Sequence, residues 1–317
     1  MHKQEERFTK IYVFDLNPGN DDITKEFIMG KLSRIMKNIS LYQYFVIVSH
    51  SSLKVLKKII NDAKINLGYI VSDCGARIYN ISTKKIIYEK HIERNDILGI
   101  SHCLMMSDFL QLISIANNEF IYSFDPMNEY IFSKMHYINC NIISAYNKFK
   151  EILEKNSVYS FLCFQKNTLE FNQKFNNFSN VSSDWNVNIS KLSESCFAIS
   201  HKDVNKYNAV LKIMESKKIS NFQDVYYYGI NSIDIDCYNG FKNHLISVSA
   251  YYEAKNFSNS IYTVSYDAIL NELSISLKNS VKSSNRKKNV FMNPNALINN
   301  SNEKTFNLKD LQEQEEK

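Results

Sequence analysis

The first part of the chain alternates between short apolar runs and segments whose apolar residues recur at helical spacing. Residues 10–15 and 44–49 are apolar without alternation, as expected for strands that a parallel sheet buries on both faces. Residues 24–38 and 51–63 carry apolar positions three and four apart, which predicts amphipathic helices. Residues 68–80 predict a third strand, a turn and a fourth strand. This order predicts an α/β fold with a parallel sheet and right-handed crossovers.

The middle of the chain, from about residue 82 to 197, has a different pattern. Helix-like runs at residues 107–116 and 142–155 mix with strand-like runs, which predicts an α+β insertion with its own sheet. The alternation of helix and strand then resumes. The strands predicted in the insertion and after it lie at residues 157–164, 183–190, 195–200, 224–230, 244–250 and 261–264, and the later helices at 204–218 and 232–241.

The composition is that of an ordinary folded protein, with 44% hydrophobic and 22% charged residues among 317. The net charge of +5 is spread along the chain, so we expect no nucleic-acid partner. The charged N-terminus lacks the apolar segment of a secretory signal, and no apolar run reaches the ~18 residues of a membrane-spanning helix. We therefore expect a cytoplasmic protein with no membrane partner and with reduced thiols.

Short polar or glycine-containing segments follow four of the predicted strands, at residues 15–19, 49–51, 73–75 and 229–236. In an open parallel sheet, ligands bind beyond the carboxyl ends of the strands. We therefore expect the functional site at this edge, with the Asp15 carboxylate just after the first strand. The alternative for Asp15 alone is a loop carboxylate that caps the next turn.

Five short motifs occur in order along the chain: VFDLNPG from residue 13, VIVSHSS from 46, VSDCGARIYN from 71, VNKYNAVL from 204 and GINSIDIDCY from 229. In order, spacing and position of the insertion, they resemble the haloacid dehalogenase (HAD) superfamily, in the branch of Cof-type sugar phosphatases and sucrose-phosphate phosphatases. The resemblance covers roughly residues 8 to 275. It implies an α/β fold with a Rossmann-like HAD core (residues 1–81 and 198–278) and an inserted α/β cap (82–197). After residue 278 the composition turns to Asn, Ser, Lys, Gln and Glu, which predicts a polar, disordered tail (279–317).

The resemblance also implies roles for individual residues. Asp15 matches the nucleophile that forms an aspartyl-phosphate, Ser49 the hydroxyl that binds phosphoryl oxygens, and Lys206 the cation that steadies both. The implied cofactor is Mg²⁺. The implied catalytic positions are Asp15, Asn17, Ser49 and Lys206, the phosphate-binding positions are Leu16, Ser49, His50 and Lys206, and the metal ligands are Asp15, Asn17 and Asp234.

Three residues depart from the family pattern. Asn17 replaces the aspartate that acts as general acid and base, and an amide does not exchange a proton near neutral pH. Pro18 removes a backbone N–H from a loop that cradles an anion in the family. Ile230 replaces a carboxylate that binds Mg²⁺, and Asp234 or Asp236 would have to compensate.

Several alternatives therefore stay open. The protein is either a Mg²⁺-dependent phosphohydrolase acting on a small phosphorylated metabolite such as a sugar phosphate, or a catalytically impaired pseudo-phosphatase that binds a phosphorylated ligand or a protein partner. Ser49 is a phosphate ligand, a helix N-cap or both, and Lys206 is either a site residue or a solvated lysine at a helix start. His50 is either a proton donor near the phosphate site or a surface histidine.

Overall fold

The computed structural model describes residues 10–16, 43–115, 119–122, 141–143, 145–165, 168–193, 195–219, 225–229, 235–241, 243–247, 260–263 and 275. Contacts between Cα atoms group Met1–Lys278 into one unit. The predicted tail (residues 279–317) and the helix predicted at 24–38 lie outside the described residues.

The described part of the chain forms two sheets and the helices that cover them. The strands, in chain order, are β1 Lys10–Asp15, β2 Gln43–Val48, β3 Tyr69–Ser72, β4 Arg77–Asn80, β5 Lys85–Glu89, β6 Leu110–Ile115, β7 Glu119–Tyr122, β8 Asn141–Ile143, β9 Val158–Phe164, β10 Val187–Lys191, β11 Cys196–His201, β12 Val225–Gly229, β13 Asn243–Ser247 and β14 Ser260–Thr263. The helices are α1 Leu53–Asp62, α2 Arg94–Met106, α3 Tyr146–Lys155, α4 Thr168–Val181, α5 Lys206–Ser216 and α6 Ile235–Gly240, with 3₁₀ turns at Asp73–Gly75 and Ser182–Asp184.

The first sheet has the strand order β14-β13-β12-β1-β2-β3-β4-β5. Its strands are parallel from β14 to β3, and β4 and β5 are added antiparallel at the edge. The central strands β1, β2 and β3 are buried on both faces because α1 covers one face and α5 the other: Phe14 lies in one core cluster with Leu56 of α1, and Val13 lies in another with Val210 of α5. This confirms the α/β class and the parallel sheet that the apolar runs predicted.

The second sheet lies between β5 and α5 in the chain, with the order β10-β11-β9-β6-β7-β8. Its pairs are antiparallel except β7 with β8. Helices α2, α3 and α4 bury one face of it through a cluster that includes Ile100, Phe149, Phe171 and Phe197. The expected insertion with its own sheet is therefore present, while the boundaries at residues 82 and 197 stay a prediction.

The prediction of a helix at residues 107–116 is wrong. These residues contain β6, and all six of its residues are buried, whereas the helix of this region ends earlier, at Met106. A short apolar run that is buried on both faces gives no period of two, so periodicity alone cannot distinguish it from a buried helix.

Candidate functional site

Asp15 ends the central strand of the first sheet. β1 lies between β2 and β12, and Asp15 is opposite Val48, the last residue of β2. The carboxylate is fully buried. The N–H of Leu16 donates to the carbonyl of Val48 (2.8 Å), so this group continues the sheet. The predicted phosphate-binding role of Leu16 stays a prediction.

Lys206 reaches this carboxylate from the start of α5. Asn205 caps the helix, because its side chain accepts a hydrogen bond from the N–H of Asn208 (2.7 Å). Lys206 Nζ donates to Asp15 Oδ1 at 3.0 Å, and both side chains are buried. The alternative of a solvated lysine is therefore wrong. Two of the predicted site residues, which are 191 positions apart, meet at the carboxyl edge of the sheet.

Ser49 follows β2, immediately beside the end of β1. Its N–H donates to the carbonyl of Val71 (2.9 Å), and its Oγ accepts from the N–H of Ser51 (3.0 Å). Ser52, and not Ser49, caps α1, since its Oγ accepts from the N–H of Val55 (3.3 Å). The helix-cap alternative for Ser49 is therefore wrong, and its buried hydroxyl lies in the loop at the end of β2.

His50 lies in the same loop and is also buried, so the alternative of a surface histidine is wrong. Its Nδ1 is 3.4 Å from the Sγ of Cys74, in the 3₁₀ turn after β3. The loops after β2 and β3 are thus in direct contact. A role for His50 in proton transfer stays a prediction.

Four residues on which the sequence analysis depended lie outside the described residues: Asn17, Pro18, Ile230 and Asp234. The carboxylate of Asp236, two positions after Asp234, lies at the start of α6 and is exposed. It accepts a hydrogen bond from Asn205 Nδ2 at 2.8 Å, which places it beside the N-terminus of α5.

The described residues do not by themselves fit a magnesium ion. They contain no group of three His, Cys, Asp or Glu side chains that could hold a metal. Magnesium prefers several hard oxygen ligands in octahedral geometry. At this edge Asp15 supplies one carboxylate, and one of its oxygens already accepts from Lys206. Ile230 has no oxygen in its side chain.

An ion pair that the sequence did not predict lies beside the site. Arg77 Nε donates to Asp73 Oδ2 at 2.8 Å, and both side chains are buried. Two signals were present in the sequence: an arginine directly precedes the apolar pair Ile78 and Tyr79, and an aspartate stands four residues before it. Neither signal shows that the two side chains are buried together.

No described helix is long and apolar enough to cross a membrane.

The comparisons with known proteins point in one direction. A family model described as haloacid dehalogenase-like hydrolase matches residues 25–237. Its match begins after the segment that contains Asp15 and Asn17. No curated protein sequence matches the chain significantly.

Solved structures resemble the fold at low sequence identity. A putative HAD/COF-like hydrolase from Plasmodium vivax is 13% identical, with a TM-score of 0.70, over 88% of this chain and 97% of that one. A haloacid dehalogenase-like hydrolase from B. subtilis is 12% identical (TM-score 0.68; 84% and 99% covered). A sugar phosphatase of HAD subclass IIB is 13% identical (TM-score 0.66; 85% and 100% covered). These likenesses show a shared fold.

Proposed function

Because the chain belongs to the haloacid dehalogenase-like hydrolases, we propose that the carboxyl edge of its first sheet binds the phosphoryl group of a small phosphorylated metabolite and hydrolyses its ester. The observation that supports this proposal is the buried contact between Lys206 Nζ and Asp15 Oδ1, at 3.0 Å. A sugar phosphate is the candidate substrate, because one solved structure with this fold is a sugar phosphatase.

The chemistry follows from the residues present. An oxygen of Asp15 attacks phosphorus, the bond from phosphorus to the ester oxygen breaks, and the ester oxygen takes a proton from solvent water and leaves as the alcohol. Water then hydrolyses the aspartyl-phosphate, which releases inorganic phosphate and restores the carboxylate. The ammonium of Lys206 and the hydroxyl of Ser49 offset the charge on the phosphoryl oxygens.

A second candidate function is binding without turnover. The sequence favours it, because Asn17 cannot supply the proton that the leaving alcohol needs, and Ile230 cannot hold a metal ion. In this case the Asp15–Lys206 edge holds a phosphorylated ligand, and the protein acts through that complex or through a protein partner. Whether this chain uses Mg²⁺, as the resemblance to the family implies, is tested by measuring hydrolysis with and without the ion.

The deciding experiment measures hydrolysis of a panel of sugar phosphates and of p-nitrophenyl phosphate, with and without Mg²⁺. The variants are Asp15→Asn and, as a matched control, Asp203→Asn, which makes the same chemical change at an exposed carboxylate. The rate of hydrolysis should be at least about a thousandfold lower in Asp15→Asn than in the wild type, because the nucleophile is lost. It should be unchanged in Asp203→Asn.

Calorimetric titration with inorganic phosphate separates the two candidates. If the wild type binds phosphate but hydrolyses none of the esters, and if Lys206→Met abolishes the binding, the results support binding without turnover. Absence of both hydrolysis and binding in the wild type contradicts both candidates. Hydrolysis that survives in Asp15→Asn contradicts the aspartyl-phosphate mechanism.

A further inference from the structure

The turn between β3 and β4 has an unusual backbone. Asp73, Cys74 and Gly75 are all in the left-handed region, with φ of 55°, 63° and 105°. Two consecutive non-glycine residues in this region are uncommon, and such a backbone persists only where its surroundings hold it in place. The turn is also fully buried.

The carboxylate of Asp73 is bound at both oxygens. Oδ2 accepts from Arg77 Nε (2.8 Å) and from Ser72 Oγ (2.6 Å). Oδ1 accepts from Ser160 Oγ of β9 at 3.3 Å. Hydrogen bonds to a buried carboxylate are stronger than neutral ones, so these contacts fix the side chain that begins the turn.

Arg77 extends from this carboxylate to the second sheet. Its Nη2 donates to Ser114 Oγ (2.8 Å) and its Nη1 to the carbonyl of Ile115 (3.4 Å), at the end of β6. Its guanidinium lies over the ring of Tyr159, 4.3 Å from the centroid. At 2% exposure, Arg77 is among the largest of the fully buried side chains in the described part of the chain. One side chain therefore joins the turn to two strands of the second sheet.

The Asp73–Gly75 turn also contacts the loop that contains Ser49. The N–H of Asp73 donates to the carbonyl of Ser51 (2.9 Å). The N–H of Ser51 donates to Ser49 Oγ (3.0 Å). A displacement of Asp73 would therefore move the backbone that orients the hydroxyl of Ser49.

The other end of the turn contacts the start of α5. Gly75 lies so close to this helix that a Cβ added to it would be 2.3 Å from the carbonyl oxygen of Asn205 and 3.1 Å from the backbone nitrogen of Lys206. Such closeness admits only glycine. The turn therefore lies between the two groups that the proposed function assigns to phosphate binding.

We propose that Arg77 is a positioning residue of the candidate site: it holds the Asp73–Gly75 turn in its left-handed form, and the turn places Ser49 and Lys206. The proposal rests on the proposed function for its effect on ligand binding, but not for its effect on the turn. Arg77 also makes the geometry of the site depend on the second sheet.

The test uses three variants of the full chain. Arg77→Met together with Asp73→Asn removes both charges at once, so no buried charge is left unpaired and the variant should fold. Asparagine tolerates a left-handed backbone, so Asp73→Asn adds no strain of its own. Arg77→Lys keeps the charge but loses the planar fork. Gln111→Met is the matched control, because it removes a buried hydrogen-bonded side chain of the second sheet that contacts Ser101 and not the turn.

Two readouts are measured. The first is alkylation of Cys74 by iodoacetamide, followed by mass spectrometry, which reports on the turn whatever the protein binds. The second is the Kd for inorganic phosphate. In the double variant we expect faster labelling of Cys74 and a Kd for phosphate raised by roughly tenfold. This is the loss of affinity expected when one contact to the ligand is misaligned. Arg77→Lys should recover part of the affinity, and Gln111→Met should match the wild type in both readouts.

The outcomes separate the two proposals. A wild type that does not bind phosphate contradicts the proposed function, and the labelling of Cys74 then still decides whether Arg77 holds the turn. If Cys74 stays protected in the double variant, Arg77 does not hold the turn. If phosphate binds the wild type and the double variant equally, or if Gln111→Met weakens binding as much, Arg77 has no positioning role.

Discussion

The buried contact between Asp15 and Lys206 allows a quantitative prediction from a double-mutant cycle. Lys206→Met leaves a buried carboxylate without its ammonium, and Asp15→Asn leaves a buried ammonium without its carboxylate. The double variant carries neither charge. We expect each single variant to be clearly less stable than the wild type, and the double variant to be more stable than the sum of the two single effects implies.

The magnitude follows from the geometry. At 3.0 Å and an effective dielectric constant of about 20, two unit charges attract by about 5.5 kcal/mol before desolvation is counted. Breaking a buried pair by removing one partner costs about 3–5 kcal/mol, whereas replacing both partners by neutral groups is often nearly neutral. The coupling energy of the cycle should therefore be at least about 2 kcal/mol.

The assay is urea unfolding of the wild type and the three variants, followed by circular dichroism and by fluorescence of Trp185, the one tryptophan of the chain. Coincident transitions establish that unfolding is two-state and that the free energies are comparable. The matched control is the same cycle on the exposed pair Lys155–Glu151, for which we expect no measurable coupling. Additivity at Asp15 and Lys206 within about 0.5 kcal/mol would refute the interpretation of a coupled ion pair.

Two further predictions concern single residues. Gly75→Ala should lower the free energy of unfolding in urea by about 3 kcal/mol, because the new Cβ meets the carbonyl oxygen of Asn205 at 2.3 Å. Gly99→Ala is the control: the nearest atom to its new Cβ is 3.2 Å away, so its free energy of unfolding should stay within about 1 kcal/mol of the wild type. Burial and a hydrogen bond to Glu89 raise the pKa of Tyr159 to about 12, so its contribution to stability is complete below about pH 10 and is lost as the pH rises through 12. Tyr159→Phe should therefore lose less stability than the wild type between those pH values, and equal losses would contradict the assignment.

The strands that carry the candidate site could be predicted because a parallel sheet imposes a simple sequence pattern. The apolar runs at residues 11–14 and 44–48 predict the first two strands, and β1 and β2 lie there. The polar residues that follow them, Asp15 and Ser49, lie at the same edge because parallel strands end at the same edge of a sheet. Local pattern and tertiary position agree at these strands.

The parts that could not be predicted depend on distant contacts. Arg77 is 37 positions from Ser114, and Asp73 is 87 positions from Ser160. Nothing in the local sequence shows that an arginine in β4 will be buried, because its burial depends on oxygen atoms supplied by the second sheet. The prediction for the residues of β6 was wrong for a related reason. The second sheet and its helices bury this strand on both faces, so its sequence lacks the periodicity that identifies a strand.

The position of β1 between β2 and β12 has a consequence for synthesis. β1 and β2 are made early, but β12 follows only after the whole second sheet has been synthesised. At about 5–20 residues per second, the 191 positions that separate Asp15 from Lys206 take roughly 10–40 s to translate. During this interval one edge of β1 has no partner strand from its own chain, and such an edge is prone to pair with other chains.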